Sequence, residues 1–189
     1  MKFKNLILAG VAASVLSFSA AAQAADSIAY VNVQEIMRDS TAAKSVKDQL
    51  ETKQKTFQAE MTKKEESLQK EDQDLGKERS VLAPDAFEKK VKDFKSRATA
   101  AQKDAQAKRD ELYHASSSSL GEIQKVVFDI VSKMAKDKGY TVVMPASSLL
   151  YADPKLDITK DVLAKLNATL PKVTVKFEAV PVGSSKDEE

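Results

Sequence analysis

Residues 40–136 contain a single proline, Pro84, and carry a periodic apolar stripe through dense charge of both signs. That stretch restricts the chain to long helices. Val46, Leu50, Phe57 and Met61 recur at spacings of four and seven, and Met61, Leu68, Leu75 and Leu82 keep a seven-residue repeat. Lys, Glu, Gln and Asp fill most positions between them. A narrow apolar seam in a charged helix marks a coiled coil, not a helix sunk in a globular core. Pro84 pushes the residue before it out of the helical region and ends the first helix. Asp85 is placed to cap the next one, with Glu88 three residues on as in a capping box. Phe87, Val91, Phe94, Ala98, Ala101, Ala105 and Leu112 continue the stripe. Leu120, Ile123, Val127, Ile130 and Met134 extend it to a stop at Gly139. The short tip predicts an antiparallel hairpin. Arms of about 40–50 residues would reach ~60–75 Å.

The flanks of this hairpin read differently. Ser27–Val33 is a short β-branched and aromatic run, hence a strand, and Gln34–Asp39 a brief helical turn. Tyr140–Met144 predicts a second strand, and Leu149–Ala152 a third after the turn at Pro145–Ser148. Ile158–Leu170 predicts a helix with Ile158, Val162, Leu166 and Leu170 on one face, capped by Asp157 or Thr159. Val173–Val182 alternates apolar with other residues, which suits an extra strand, and 183–189 reads as a disordered tail. An antiparallel hairpin returns the chain to where it left, so residues 25–39 and 137–182 form one β-rich head and 40–136 project from it. The fold class is α+β, a small strand head bearing a long α-helical coiled-coil hairpin. Short strands and one small helix bury little alone, so the head is expected to oligomerise.

Composition narrows the function. Met1–Ala24 has a cationic start, an apolar stretch from Leu6 to Phe18 and a small-residue cleavage point, so it reads as a cleaved secretory signal and predicts export from the cytoplasm. The chain has 30 basic and 28 acidic side chains, and Lys2 and Lys4 leave with the signal. The mature chain is then charge-balanced, which argues against a nucleic-acid binder. Cysteine is absent, so no disulfide supports the fold. Aromatics at 6% and charged residues at 31% fit a long-helix protein rather than a large core.

Catalytic constellations do not emerge, and no enzyme, cofactor or metal is expected. His114, the one histidine, lies in a charged helical stretch and reads as a solvated side chain without a nucleophile elbow. One histidine and no cysteine rule out zinc spacing. The mature chain's glycines, Gly76, Gly121, Gly139 and Gly183, are isolated and make no phosphate loop. Lys89, Lys90, Lys92, Lys95 and Arg97 make the start of the second arm basic. Two readings stand: solubilising charge, or contact with an anionic lipid surface. Ser116–Gly121 is rich in weak helix formers, which suits an exposed helix face or a hinge. Between Phe94 and Leu112 the stripe is mainly alanine, which lets the arms approach closely or leaves a shallow apolar wall.

Ile28–Val33 after the signal, the charged helical middle and the block Tyr140–Met144, Leu150–Asp153 and Leu156–Leu163 resemble the Skp/OmpH family of periplasmic chaperones. The resemblance spans about Asp26–Leu170. It implies a homotrimer whose strands build a shared barrel head, with three hairpins enclosing a chamber. Unfolded outer-membrane β-barrel proteins would be held there without ATP. The residues matching the family's pattern are Ile28, Tyr30, Val31, Val33, Val142, Val143, Leu150, Tyr151, Ile158, Val162 and Leu163, and they map to the head or oligomer core. The charge balance departs from the basic character of the family, and Pro171–Glu189 continues past its closing helix.

Holding an unfolded barrel protein needs weak apolar contacts at many points. Val91, Phe94, Ala101, Ala105 and Leu112 are the candidate client-binding residues on the arm faces. The competing class is a structural coiled-coil spacer or adaptor of the cell envelope, which would bind one folded partner along a defined seam.

Overall fold

The structure, a computed structural model, describes residues 27–178. The signal at 1–24, residues 179–182 of the expected extra strand, and the 183–189 tail lie outside the described residues. The chain opens with β1 (Ser27–Val31) and α1 (Val33–Asp39). The arms follow as α2 (Thr41–Glu78, 38 residues) and α3 (Pro84–Lys138, 55 residues). The chain then forms β2 (Tyr140–Pro145) and, after two short 3-10 turns, α4 (Thr159–Thr169). The architecture is α+β, a two-stranded head with a long helical hairpin.

Punctuation residues set the arms. Ser40 ends α1 and starts α2: its Oγ accepts the Ala43 N–H at 3.2 Å, and it is fully buried. Gly139 closes α3 at φ 74°, a left-handed conformation in which a side chain would be strained. At the tip, α2 stops at Glu78, five residues before the alanine that precedes Pro84. Backbone N–H groups of Val81 and Leu82 return to the Glu78 carbonyl, both at 3.0 Å. The expected capping box at Asp85 is not formed. Ala83 takes the cap position, and Pro84, which has no N–H to satisfy, begins α3. Asp85 falls in the first turn, where its charge complements the helix dipole.

The core sits where the head meets the roots of the arms. Ile36 of α1, Val46 of α2, Ile123, Val127 and Met134 of α3, and Ile158, Val162 and Leu166 around α4 are all buried. β1 and β2 pair in parallel, Ile28 opposite Val142 and Val31 opposite Pro145, with a register shift after Ser27. Two parallel strands joined by the whole hairpin require the arms to go out and return without loss of register. On the other side of β1, the Ile158 N–H donates to the Tyr30 carbonyl at 3.0 Å. Thr159 Oγ1 accepts the Asn32 N–H at 2.8 Å, and Asp157 Oδ1 accepts the Thr159 N–H at 2.8 Å. The expected cap at Asp157 or Thr159 is corrected: Ile158 takes the cap position of α4 without a side-chain cap bond, and Asp157 instead accepts the N–H of Thr159, the first residue of the helix.

Two expected strands are corrected. Leu149–Ala152 is irregular and has no ladder partner among the described residues. Residues 172–178 are extended but join no sheet. Ser116–Gly121 continues α3 without a break, and Ser119 is buried with its Oγ donating to the Ala115 carbonyl at 2.7 Å.

Ser40→Ala removes the buried cap at the root of α2 and is expected to cost about 1 kcal/mol. Thermal unfolding should show a midpoint lowered by ~2–4 °C.

Candidate functional site

The arms are held to each other by a thin apolar seam and a ladder of charges. Along α2 only Phe57 and Leu75 are buried beyond the root, with Met61 and Leu68 half-buried, as is Leu82 in the tip turn. Facing them on α3, Phe87, Val91, Phe94, Ala98, Ala101, Ala105 and Leu112 are all half-buried. The five client-binding candidates therefore lie along the inter-arm seam with part of each surface open to solvent.

Five ion pairs cross between the arms: Lys53–Glu111 at 3.5 Å near the root and, farther out, Glu60–Lys108 at 2.7 Å, Lys64–Asp104, Glu71–Arg97, and Glu78–Lys90 at 2.6 Å, the outer four sharing one register. Steps of four, seven and seven residues along α2 are matched by equal steps back along α3. The signs alternate at Lys64, so the pattern tolerates one alignment. A slip of four residues opposes Lys64 to Lys108 in one direction and Glu60 to Asp104 in the other. Each surface pair contributes little by itself. As a set, the like-charge clashes of the shifted alignments fix the register.

Small side chains leave gaps between these pairs. One open groove of about 480 Å³ is walled by Leu68, Ala100 and Ala101 and bridged by Lys64, Asp104, Glu71 and Arg97. A second, of about 270 Å³, lies nearer the head between Phe57, Met61, Ala105 and Leu112. The alanine stretch thus forms shallow apolar recesses rather than a sealed contact. Closer to the head, the Lys108 ammonium sits 4.2 Å and the Lys53 ammonium 4.6 Å from the Phe57 ring centre. Lys53 also lies 3.5 Å from Glu111.

The basic start of α3 divides. All five are exposed, but Lys90 and Arg97 pair across the seam with Glu78 and Glu71, whereas Lys89, Lys92 and Lys95 do not. Among the described residues no carboxylate lies within ion-pairing distance of those three. His114 is exposed, its ring meeting that of Tyr113 edge-on at 5.6 Å.

In the head, Val31, Ile158 and Val162 are buried, and Tyr30, Val33, Val143 and Leu163 half-buried. Ile28 and Val142 are each 46% exposed, Tyr151 86% and Leu150 fully so. These four stay outside the core cluster of the described residues and present apolar side chains to solvent. Among the described residues no helix is long and apolar enough to cross a membrane, and no three His, Cys, Asp or Glu side chains cluster as metal ligands.

Residues 27–166 match the family described as outer membrane protein (OmpH-like). Chaperone protein Skp of Photorhabdus luminescens is 30% identical over 163 residues, covering 86% of this chain and 99% of that one. Chaperone protein Skp of Yersinia pestis is 34% identical over 164 residues, with the same shares of each chain. The solved structure of an OmpH-like chain from Caulobacter crescentus superposes with a TM-score of 0.76 at 20% identity, over 93% of this chain and 98% of that one, and so has the same fold.

Glu71→Lys places a like charge opposite Arg97 and should raise amide exchange around residues 68–101 about threefold; adding Arg97→Glu should return it to the parent rate. The Glu60 carboxyl is held below the ordinary range, first by the hydrogen bond from Lys108 and then by its charge. A depressed carboxyl stabilises above its unfolded value, and that contribution is lost as pH falls through the folded value. Acid titration followed by circular dichroism should therefore show a shallower loss of arm helix for Glu60→Gln than for the parent.

Proposed function

The chain belongs to the OmpH-like outer membrane protein family, and from that premise we propose that it is an exported, ATP-independent holdase of the periplasm. Its clients are unfolded outer-membrane β-barrel proteins, held between helical arms until they insert. The observation that carries this reading is the row of shallow apolar recesses along a charged hairpin. Ala101, Ala105 and Leu112 line the recesses, and Val91 and Phe94 extend the same seam toward the tip. Each such contact contributes about 1 kcal/mol at ~25 cal/mol/Å². Retention must then come from many contacts at once. A client that gains more by folding in its membrane leaves without an energy source.

The head supports assembly of three copies. A two-stranded sheet is marginal alone, and the exposed Ile28, Val142, Leu150 and Tyr151 supply the apolar surface a barrel of strands from neighbouring copies would cover. Lys89, Lys92 and Lys95, free of cross-arm partners, suit contact with anionic headgroups when the arms meet a membrane.

Deleting 61–74 together with 94–107 shortens both arms by equal lengths and keeps Glu78 opposite Lys90. The shortened protein should retain its mass by ultracentrifugation yet lose protection of a urea-diluted barrel protein in light scattering. Full protection by the shortened form sinks the arm-binding reading. Binding of one folded envelope protein at fixed stoichiometry, with no protection of unfolded barrels, identifies a spacer instead.

A further inference from the structure

The segment that follows α4 makes an uncommon use of one glutamine. Residues 172–178 are extended, and their side chains alternate strictly between protein and solvent. Val173 and Val175 are buried at 2% and 6% exposure and Phe177 is half-buried, while Thr174, Lys176 and Glu178 face water. No neighbouring strand among the described residues serves this backbone. Gln49 of α2 does so instead: its Nε2 donates to the Val173 carbonyl at 2.8 Å, and its Oε1 accepts the Val175 N–H at 3.1 Å. A primary amide carries the same donor and acceptor as a peptide unit, so one side chain stands in for a ladder rung. One turn along α2, the Lys53 ammonium lies 5.1 Å from the Phe177 ring centre.

These contacts recognise a backbone, an every-second-residue apolar pattern and one aromatic ring. None requires a particular sequence. That pattern is the one a membrane β-strand carries, apolar on its lipid face with aromatic residues at its ends. We propose that the α2 surface around Gln49 and Lys53 is a docking site for extended client strands, occupied in the resting protein by residues 172–178 of the chain itself. The identity of the client rests on the holdase reading above. An incoming strand replaces Val173 and Val175 with equivalent apolar side chains, so the exchange leaves the core covered. Tethering to α4 gives the resident segment an effective concentration of about millimolar. A single free strand therefore competes poorly, whereas a client presenting many strands competes well.

The full chain has no cysteine, so Thr174→Cys provides one solvent-facing site for a nitroxide label. A synthetic peptide of residues 171–178 should free the label at about millimolar concentration, and a peptide of the same composition with its apolar residues grouped together should not. Val175→Ala weakens the resident segment and leaves Gln49 and Lys53 intact, so the peptide should act at about tenfold lower concentration. An immobile label at saturating peptide, or equal release by both peptides, overturns the proposal. A barrel client protected from aggregation while the label stays immobile also overturns it and leaves the holdase reading standing. Release by the peptide without protection of any barrel client upholds the docking site and removes the holdase reading.

Discussion

Two parallel strands at the ends of a hairpin that occupies most of the chain set the constraint on which the other features depend. β1 and β2 can pair only if α3 brings the chain back to a position fixed to within one residue, after an excursion of ~60 Å along α2. An error of a single residue at the tip would reverse which side chains of β2 meet the core. The alternating charges between the arms meet that demand far from any buried core. The root then converts alignment into stability, because Ile36, Val46, Ile123, Val162 and Leu166 interlock strand, arm and closing helix in one cluster. Head and arms are accordingly one cooperative problem: the head needs the arms' register, and the arms need the head's burial.

Much of this was legible in the sequence, and the failures share one cause. The helical stripe, Gly139, the strands at Ser27 and Tyr140 and the closing helix all follow from local patterns, and all are present. Leu149–Ala152 has the residues of a strand, but a strand exists only where a partner does, and none is present among the described residues. Residues 173–178 alternate as a strand should and are extended, yet their partner is a glutamine far away in sequence, which no periodicity reveals. Asp85 has the chemistry of an arm-tip cap, while the structure caps at Ala83 and starts the helix two residues earlier on proline's fixed geometry.

The cross-arm ion pairs were illegible for a related reason. Which residue faces which depends on where α2 stops, and Glu78 carries no stop signal comparable to Pro84. Displacing that stop by a few residues changes every partner along the arms. The apolar recesses follow the same logic. Alanine between Phe94 and Leu112 permits either close contact or a gap, and the choice falls to the longer charged side chains that bridge above it. Arg97 reaching Glu71 and Lys64 reaching Asp104 span the space over Leu68 and Ala101.

The near-balance of charge, a formal +2 over the full chain, becomes intelligible in this light. Two of the five basic residues at the start of α3 are committed to carboxylates on α2, and Lys108 to Glu60, so much of the arm charge is spent on alignment. A net field strong enough to draw acidic cargo would need surplus cations, and surplus cations between the arms would oppose the seam at Lys64 and Lys53. The other three of those five, Lys89, Lys92 and Lys95, lie toward the tip. On the proposed holdase reading, cargo between the arms would then be held by shallow apolar contact, which is insensitive to its charge. Such a surface would accept many sequences weakly without sacrificing the alignment that lets the head form.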